Sequence, residues 1–186
     1  MSEIRGIVIQ SRMDYLEKKT NEAIYKEVMN RLSDKARQAI GEQIFLTNLY
    51  SFEILKELDR VIVEAIGKPA EEIFRDIGKY FAAIIVDSYF YNYVEAKNPQ
   101  KFLAQISNLF PHLWQFGKYY YEKSSNNSAV VKFEYDEDIH KPYCWFTQEF
   151  LKNGLVMCSA KNVRLNEKEC EAENGNACVY ELSWEQ

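Results

Sequence analysis

The chain is poor in the residues on which most catalytic sites depend. Only two histidines, His112 and His140, occur in 186 residues, which is too few for the usual pairing of a catalytic base with a residue that orients it. The sequence also lacks a Gly-rich phosphate loop and a Gly-x-Ser-x-Gly nucleophile motif. Paired carboxylates such as Glu71 and Glu72 are typical of solvated charge on a helix. We therefore expect that the protein is not an enzyme.

Long apolar runs and an excess of positive charge are missing as well. The most apolar run, Phe81 to Val86, is far shorter than the roughly 18 apolar residues of a membrane span, and no secretory signal follows Met1. The formal net charge of -5 disfavours a phosphate-binding surface. The sequence predicts a cytoplasmic protein with no membrane span and no nucleic-acid partner.

Apolar residues recur at helical spacing before Gly117, and strand-like alternation dominates after it. Helices are predicted over residues 13–32, 51–67, 69–93 and 98–111 and from Pro142 onward. Strands are predicted over residues 6–9, 119–121, 130–135, 163–169 and 178–184. We expect one α+β domain over residues 1–186. In it, N-terminal helices of about residues 1–116 pack on a twisted antiparallel sheet within a β-rich part of about residues 117–186.

All four cysteines lie in the C-terminal part of the chain, and three of them share a short stretch with a glutamate. Cys144, Cys170, Cys178 and Glu167 offer three thiolates and a carboxylate, a tetrahedral ligand set of the kind that zinc takes. Four protein ligands leave no open position, so the predicted zinc is structural. Strand alternation alone does not choose between Glu167 and Glu169. A disulfide and ordinary buried cysteines are the alternatives.

The pair Cys144–Trp145, followed by Glu167-x-x-Cys170 and by Cys178 after seven further residues, resembles the zinc site of the 4-vinyl reductase domain family. It is most similar to the sensor domains of phenol- and xylene-responsive bacterial activators. The spacing in that family implies Glu167, and not Glu169, as the carboxylate ligand.

Residues 50–52 and 73–81 resemble the middle of a wider superfamily, which joins vinyl reductase domains with haem nitric-oxide-binding domains and subunits of Golgi transport particles. The resemblance implies helices and a sheet that enclose a mostly apolar cavity. We expect a stand-alone sensor domain for a small apolar, aromatic or lipid-like molecule, with a signalling protein or a second copy of the chain as further partner. The candidate lining residues, each equally compatible with plain core, are Phe74, Phe81, Tyr89, Phe110, His112, Trp114 and Trp145.

Two alternative functions stay open. One is an assembly subunit that binds no ligand, like the Golgi relatives, and the other is a haem-based gas sensor. In the haem relatives a proximal histidine holds the iron, but aligning Phe102 and Leu103 with their apolar pair places Phe110, and not His112, at that position. The Tyr-x-Ser-x-Arg haem-propionate motif is missing too. We therefore expect zinc, and not haem, as the cofactor.

Overall fold

Helices dominate the first part of the chain and a sheet the last part. The computed structural model describes residues 2–41, 43–89 and 91–185, with the backbone alone at residues 88, 89, 93 and 95. The helices are α1 (Gly6–Lys19), α2 (Glu22–Arg31), α3 (Asp34–Ile40), α4 (Phe52–Ile66), α5 (Ala70–Tyr89), α6 (Tyr91–Glu95), α7 (Pro99–Leu113) and α8 (Lys141–Met157). The strands are β1 (Glu3–Arg5), β2 (Leu49–Ser51), β3 (Lys118–Ser125), β4 (Ser128–Glu134), β5 (Lys161–Glu169) and β6 (Cys178–Glu185). Of the helices in these ranges, none combines the length and apolar character needed to cross a bilayer.

The C-terminal sheet is antiparallel throughout and has the strand order β3-β4-β6-β5. Its strands alternate between buried and exposed side chains because one face packs on the helices. The buried side chains of the two central strands are Ala129, Val131, Phe133, Cys178, Tyr180, Leu182 and Trp184. The predicted α+β architecture, with N-terminal helices and a C-terminal antiparallel sheet, is confirmed.

The first helix begins where the sequence pattern predicted a strand. Residues 6–9 form the first turn of α1, and the strand is the preceding segment β1, in which Glu3 pairs with Ser51 of β2. The N–H groups of Gly6 and Ile7 donate to the carbonyls of Asn48 and Leu46, at 2.9 and 3.1 Å. These carbonyls satisfy donors that a helix start leaves free, so tertiary contacts outweigh the β-branched character of the segment.

Two other predicted helix boundaries are wrong. The helix predicted over residues 13–32 is divided at Asn21, whose side chain accepts a hydrogen bond from the N–H of Ile24 and so starts α2. Helix α7 continues through Pro111 to Leu113. A proline removes one N–H donor, and the carbonyl of Phe110 still accepts from Trp114 beyond it.

Two glycines allow helices to approach closely around α8. A Cβ atom added at Gly78 of α5 would lie 2.3 Å from the carbonyl oxygen of Phe146 in α8. A Cβ atom added at Gly154 of α8 would lie 2.0 Å from the ring of Phe102 in α7. Both distances are far below van der Waals contact, so these positions require glycine. They set how deeply α8 is buried between its neighbours.

A continuous chain of aromatic rings runs through the interior. Phe81 of α5 lies 5.0 Å, centroid to centroid, from Phe146 of α8, which lies 6.0 Å from Tyr143. Tyr143 in turn lies 6.4 Å from Trp114, which stacks on Phe110 at 5.0 Å. These separations are typical of stabilising ring pairs, so the helices and the sheet share one aromatic core.

The close contact at Gly154 generates the first prediction. We expect Gly154→Ala to lower the free energy of unfolding by about 1–3 kcal/mol, because the added methyl group overlaps the Phe102 ring. The control Val156→Ala lies on the exposed side of the same helix and should change stability by less than about 0.5 kcal/mol. Urea unfolding of both variants measures the difference. A Gly154→Ala variant as stable as the parent would contradict the close packing of α7 and α8.

Candidate functional site

A buried ion pair joins α1 to α4. The side chains of Arg12 and Asp59 are both fully buried, and Arg12 Nε donates to Asp59 Oδ1 at 3.1 Å. The guanidinium also lies 4.1 Å above the ring of Phe146 and donates through Nη1 to the carbonyl of Val8. A charged side chain that is buried away from water is stable only when it is paired in this way. The pair therefore holds α1, α4 and α8 in one arrangement.

His140 completes this network from the residue that precedes α8. Its Nε2 atom lies 2.9 Å from Asp59 Oδ2, and its ring packs near those of Phe52 and Tyr143. Its Nδ1 atom is buried and has no hydrogen-bond partner among the described residues, and the same holds for Nη2 of Arg12. A carboxylate that orients one nitrogen of an imidazole while the other stays free is the usual arrangement behind a metal-ligating histidine. His140 can therefore offer Nδ1 to a ligand or a metal ion in the interior.

Helix α7 offers no such nitrogen to the interior. Phe110 is buried, and its ring packs 5.6 Å from Phe133 of the sheet and 6.5 Å from Tyr119. His112 is exposed and lines an open surface groove of about 470 Å³ together with Arg5. The residues of α7 therefore do not fit a haem whose iron is held from this helix, whereas His140 carries a buried imidazole nitrogen without a hydrogen-bond partner among the described residues.

The other predicted lining residues are distributed through the core. Phe74, Phe81 and Trp114 are buried, and Trp145 is half-buried. The side chain of Tyr89 lies outside the described residues. Phe81 and Trp114 belong to the aromatic chain, so these two predicted lining residues pack against other rings of the core.

The three cysteines of the predicted metal set converge between α8 and the sheet. Cys144 lies in the first turn of α8, Cys170 follows β5, and Cys178 begins β6. The Cys144 sulfur lies 3.8 Å from that of Cys178 and 3.6 Å from that of Cys170, and all three residues are buried. The antiparallel pairing of β5 with β6 places the ends of these strands beside each other, so cysteines remote in sequence meet. We call these three residues the thiol cluster.

Glu167 lies beside the thiol cluster but not within it. Its carboxylate groups with Cys170 and Glu173, whereas Cys144 and Cys178 belong to the separate three-sulfur group. A register shift in β5 between Glu167 and Glu169 places the two glutamates differently. Glu169 accepts from the N–H of Asn176 at 2.5 Å, away from the sulfurs. That these residues hold a metal stays a prediction.

Hydrogen bonding within the thiol cluster separates the acidities of its thiols. Donation from Cys144 to Cys178 lowers the pKa of Cys178 to about 7, assisted by the backbone N–H of Glu171. The same bond, together with burial, raises the pKa of Cys144 well above its ordinary value. Cys178 is therefore the thiol of this pair that most readily becomes a thiolate.

The buried network of Arg12, Asp59 and His140 is the feature that sequence patterns did not identify. A signal for it exists: Asp59 follows Leu55 by four residues, on the apolar stripe of α4, and Arg12 lies midway between Val8 and Leu16 on the buried side of α1. A charged residue on an apolar stripe predicts a buried partner of opposite charge. The pattern does not say which helix supplies that partner.

Comparison with known proteins indicates a family. Residues 5–134 match a family model described as haem-NO-binding, which covers more than half of the chain, from β1 to the end of β4. No curated protein is detectably similar in sequence.

Solved H-NOX structures share the fold over nearly the whole chain. The Fe(II) unliganded H-NOX protein from K. algicida is 14% identical, with a TM-score of 0.76, over 98% of this chain and 97% of that chain. The S. oneidensis H-NOX protein in the Fe(II)NO ligation state is 10% identical, with a TM-score of 0.77, over 98% and 100%. An oxygen-binding H-NOX domain related to soluble guanylate cyclases is 12% identical, with a TM-score of 0.71, over 98% and 96%. At these identities the likeness shows the fold alone.

These comparisons correct three conclusions drawn from the cysteine spacing. The assignment to the 4-vinyl reductase family is wrong, because the matching family model is haem-NO-binding. The choice of zinc in place of haem as cofactor is wrong for the same reason. The predicted function, a sensor domain for an apolar or hydrocarbon ligand, is wrong as well. A pattern of Cys144, Glu167, Cys170 and Cys178 involves few positions, whereas the family match extends over most of the helices.

The buried ion pair generates the second prediction. We expect Asp59→Ala to lower the free energy of unfolding by about 3–5 kcal/mol, because it leaves the charge of Arg12 buried without a partner. The double variant Arg12→Met/Asp59→Leu should lose much less, since it removes both charges. The exposed pair of Arg60 and Glu64 provides the control, and Arg60→Ala should cost less than about 1 kcal/mol. Urea unfolding measures all three variants, and a double variant as unstable as Asp59→Ala would contradict this account.

Proposed function

Because the chain belongs to the haem-NO-binding family, we propose that it is a haem-based gas sensor domain. The observation that carries the proposal is the family match over residues 5–134. The fold supports it, since the chain shares that of H-NOX structures described with NO or with oxygen. The proposal makes the protein a sensor, and not an enzyme.

His140 is the residue that we propose as the iron ligand. Its Nδ1 atom is buried and unpartnered, and Asp59 holds the opposite nitrogen. When bound, a haem iron supplies a coordination position for a diatomic gas such as NO or oxygen. The role of Asp59 is to fix the orientation of the imidazole, so that Nδ1 is the nitrogen left free.

The same network links His140 to the rest of the domain. Asp59 shares its two carboxylate oxygens between His140 and Arg12, so a displacement of the imidazole alters the partner of a buried charge on α1. Such a charge tolerates little change in its pairing, because an unpaired buried ion is unstable. We infer that movement at the start of α8 is coupled to α1 and α4 through this carboxylate.

Two aromatic rings pack beside His140. The rings of Phe52 and Tyr143 lie 5.9 and 6.3 Å, centroid to centroid, from the His140 ring. Haem binding at Nδ1 would alter the packing of these rings and should therefore change the near-ultraviolet circular dichroism of the aromatic side chains.

The proposed role as a sensor bears on the cellular location of the domain and on its partner. We propose a cytoplasmic location, where the thiols of Cys144, Cys170 and Cys178 stay reduced. A sensor needs a recipient for its signal, and we propose a signalling protein or a second copy of the chain as that partner.

Haem titration tests the proposed function. We expect the purified protein to bind one equivalent of haem with a Soret band that shifts when NO is added. The variant His140→Gln should lose the band or move it, because the imidazole ligand is gone, whereas the surface control His112→Gln should behave like the parent. Far-ultraviolet circular dichroism checks that both variants are folded.

Two outcomes would contradict the proposal in different ways. A parent protein without a Soret band at saturating haem would refute haem-based sensing by this chain. A band lost in His112→Gln but kept in His140→Gln would move the iron ligand to α7.

A further inference from the structure

Two large apolar side chains lie exposed next to each other in the loop between α3 and β2. Phe45 is 54% exposed and Leu46 is 48% exposed. The other exposed large apolar side chains of the described residues lie on three separate elements, at Tyr91, Tyr120 and Val156. Single exposed apolar residues are common on protein surfaces, whereas a contiguous apolar patch indicates an interaction site. The loop is therefore a candidate binding surface.

The backbone of this loop is fixed by hydrogen bonds, so the two side chains are held in place. The N–H of Phe45 donates to the hydroxyl of Tyr50 at 3.0 Å, and its carbonyl accepts from the N–H of Asn48 at 3.0 Å. The carbonyl of Leu46 accepts from the N–H of Ile7 at 3.1 Å. A surface that is ordered before binding loses less conformational entropy when a partner binds. The loop thus presents a preformed apolar surface.

Leu46 also forms one wall of the surface groove of about 470 Å³ that His112 lines. The start of the chain and the end of α7 form the other walls. The lining residues are Arg5, Ile7, Leu46, Thr47, His112 and Leu113, and we call this feature the Arg5 groove. Its volume falls within the range of clefts that bind ligands, and half of its lining residues are aliphatic. The groove can therefore bury an apolar side chain.

Arg5 adds a positive charge that no carboxylate balances in the described part of the chain. Its Nε atom donates to the carbonyl of His112 at 3.1 Å, and its Nη1 atom donates to the carbonyl of Thr47. Both acceptors are neutral, and the lining of the groove contains no acidic residue. The remaining N–H groups, on Nη2, have no acceptor among the described residues, and a guanidinium suits the geometry of a carboxylate. A negatively charged group is the complement of this groove.

We propose that the Arg5 groove is the docking site for a segment of a partner protein in which an acidic residue adjoins an apolar one. The carboxylate pairs with the guanidinium of Arg5, and the apolar side chain packs against Leu46 and Leu113. The exposed ring of Phe45 offers the same segment a further apolar contact. The inference rests on the proposed sensor function, because it names the chemistry of the partner that receives the signal.

Charge and shape favour this occupant over a second copy of the chain or a lipid surface. A symmetric dimer through the groove brings the two Arg5 side chains close together, and like charges in contact destabilise an interface. A lipid surface contacts protruding side chains but does not fill a concave groove. A protein segment supplies a carboxylate and an apolar side chain at a fixed spacing, which matches both features of the groove.

Peptide binding followed by NMR is the test. The probes are short acetylated peptides in which leucines alternate with glutamates, with lysines or with glutamines, and each is titrated into the isotope-labelled protein. We expect the glutamate peptide to bind and to shift the amide signals of residues 5–7, 45–48 and 112–114. The lysine peptide should bind at least about tenfold more weakly, because it brings a like charge to Arg5. The glutamine peptide should lie between them. Added salt should weaken binding of the glutamate peptide by screening the ion pair.

Three variants separate the contributions of charge and apolar contact. Arg5→Glu should bind the lysine peptide about tenfold more tightly than the parent does, a gain that a disturbed loop cannot produce. Leu46→Ser should bind the glutamate peptide about fivefold more weakly or worse, because an apolar contact is lost. Val156→Ser is the matched control, since Val156 is similarly exposed but lies on α8 outside the groove, and it should behave like the parent. Circular dichroism checks that all three are folded.

Contrary results would overturn the proposal in different ways. No binding of the glutamate peptide, equal binding of the lysine peptide, or amide shifts elsewhere on the protein would refute recognition of an acidic segment. Sedimentation of the parent, but not of Leu46→Ser, with vesicles of phosphatidylcholine and phosphatidylglycerol would assign the groove to a lipid surface. A dimeric parent that becomes monomeric in Leu46→Ser would assign it to a second copy. None of these results changes the haem titration, and a parent without a Soret band would not alter peptide binding.

Discussion

The arrangement of the helices depends on the ion pair between Arg12 and Asp59, because neither charge is stable in the interior without the other. The pair constrains α1 against α4, and the ring of Phe146 beneath the guanidinium adds α8 to the same contact. An apolar core tolerates small sliding of its helices, but a buried ion pair does not. The Nε2 atom of His140 shares the carboxylate of Asp59, so the imidazole whose Nδ1 is the candidate ligand-binding atom is held by the same group that pairs with Arg12.

The start of α8 joins the two candidate sites. His140 contacts Asp59 in the interior, Lys141 contacts Glu167 beside the sheet, and Cys144 enters the thiol cluster one turn later. The positions of an imidazole, an ammonium group and a thiol are therefore all set by the start of one helix. The thiol cluster and His140 are therefore adjacent along the backbone, at the start of one helix.

The fold and the side chains of the interior give different information about function. The chain shares its fold with H-NOX structures at 10–14% identity, and the family match covers helices α1 to α7 and the first hairpin of the large sheet. Within that fold, α7 presents Phe110 to the interior and His112 to the surface. A fold can host different sites. The interior histidine in this chain comes from the residue before α8, so the family identifies the type of domain and the side chains decide how a ligand is held.

The amino-acid sequence by itself determined the fold class, because periodicity and turn residues are local properties: helical spacing before Gly117 and alternation after it were sufficient. It also identified Cys144, Cys170 and Cys178 as a group. Only the tertiary structure decided that residues 6–9 are helical, because the carbonyls that satisfy Gly6 and Ile7 come from a loop some forty residues later. Only it paired Arg12 with Asp59 and His140, and only it directed Glu167 to Lys141 rather than to the sulfurs. The physical reason is the same in each case. Burial and charge pairing bring together residues that are far apart in the chain, and the local spacing of residues does not determine which of them come into contact.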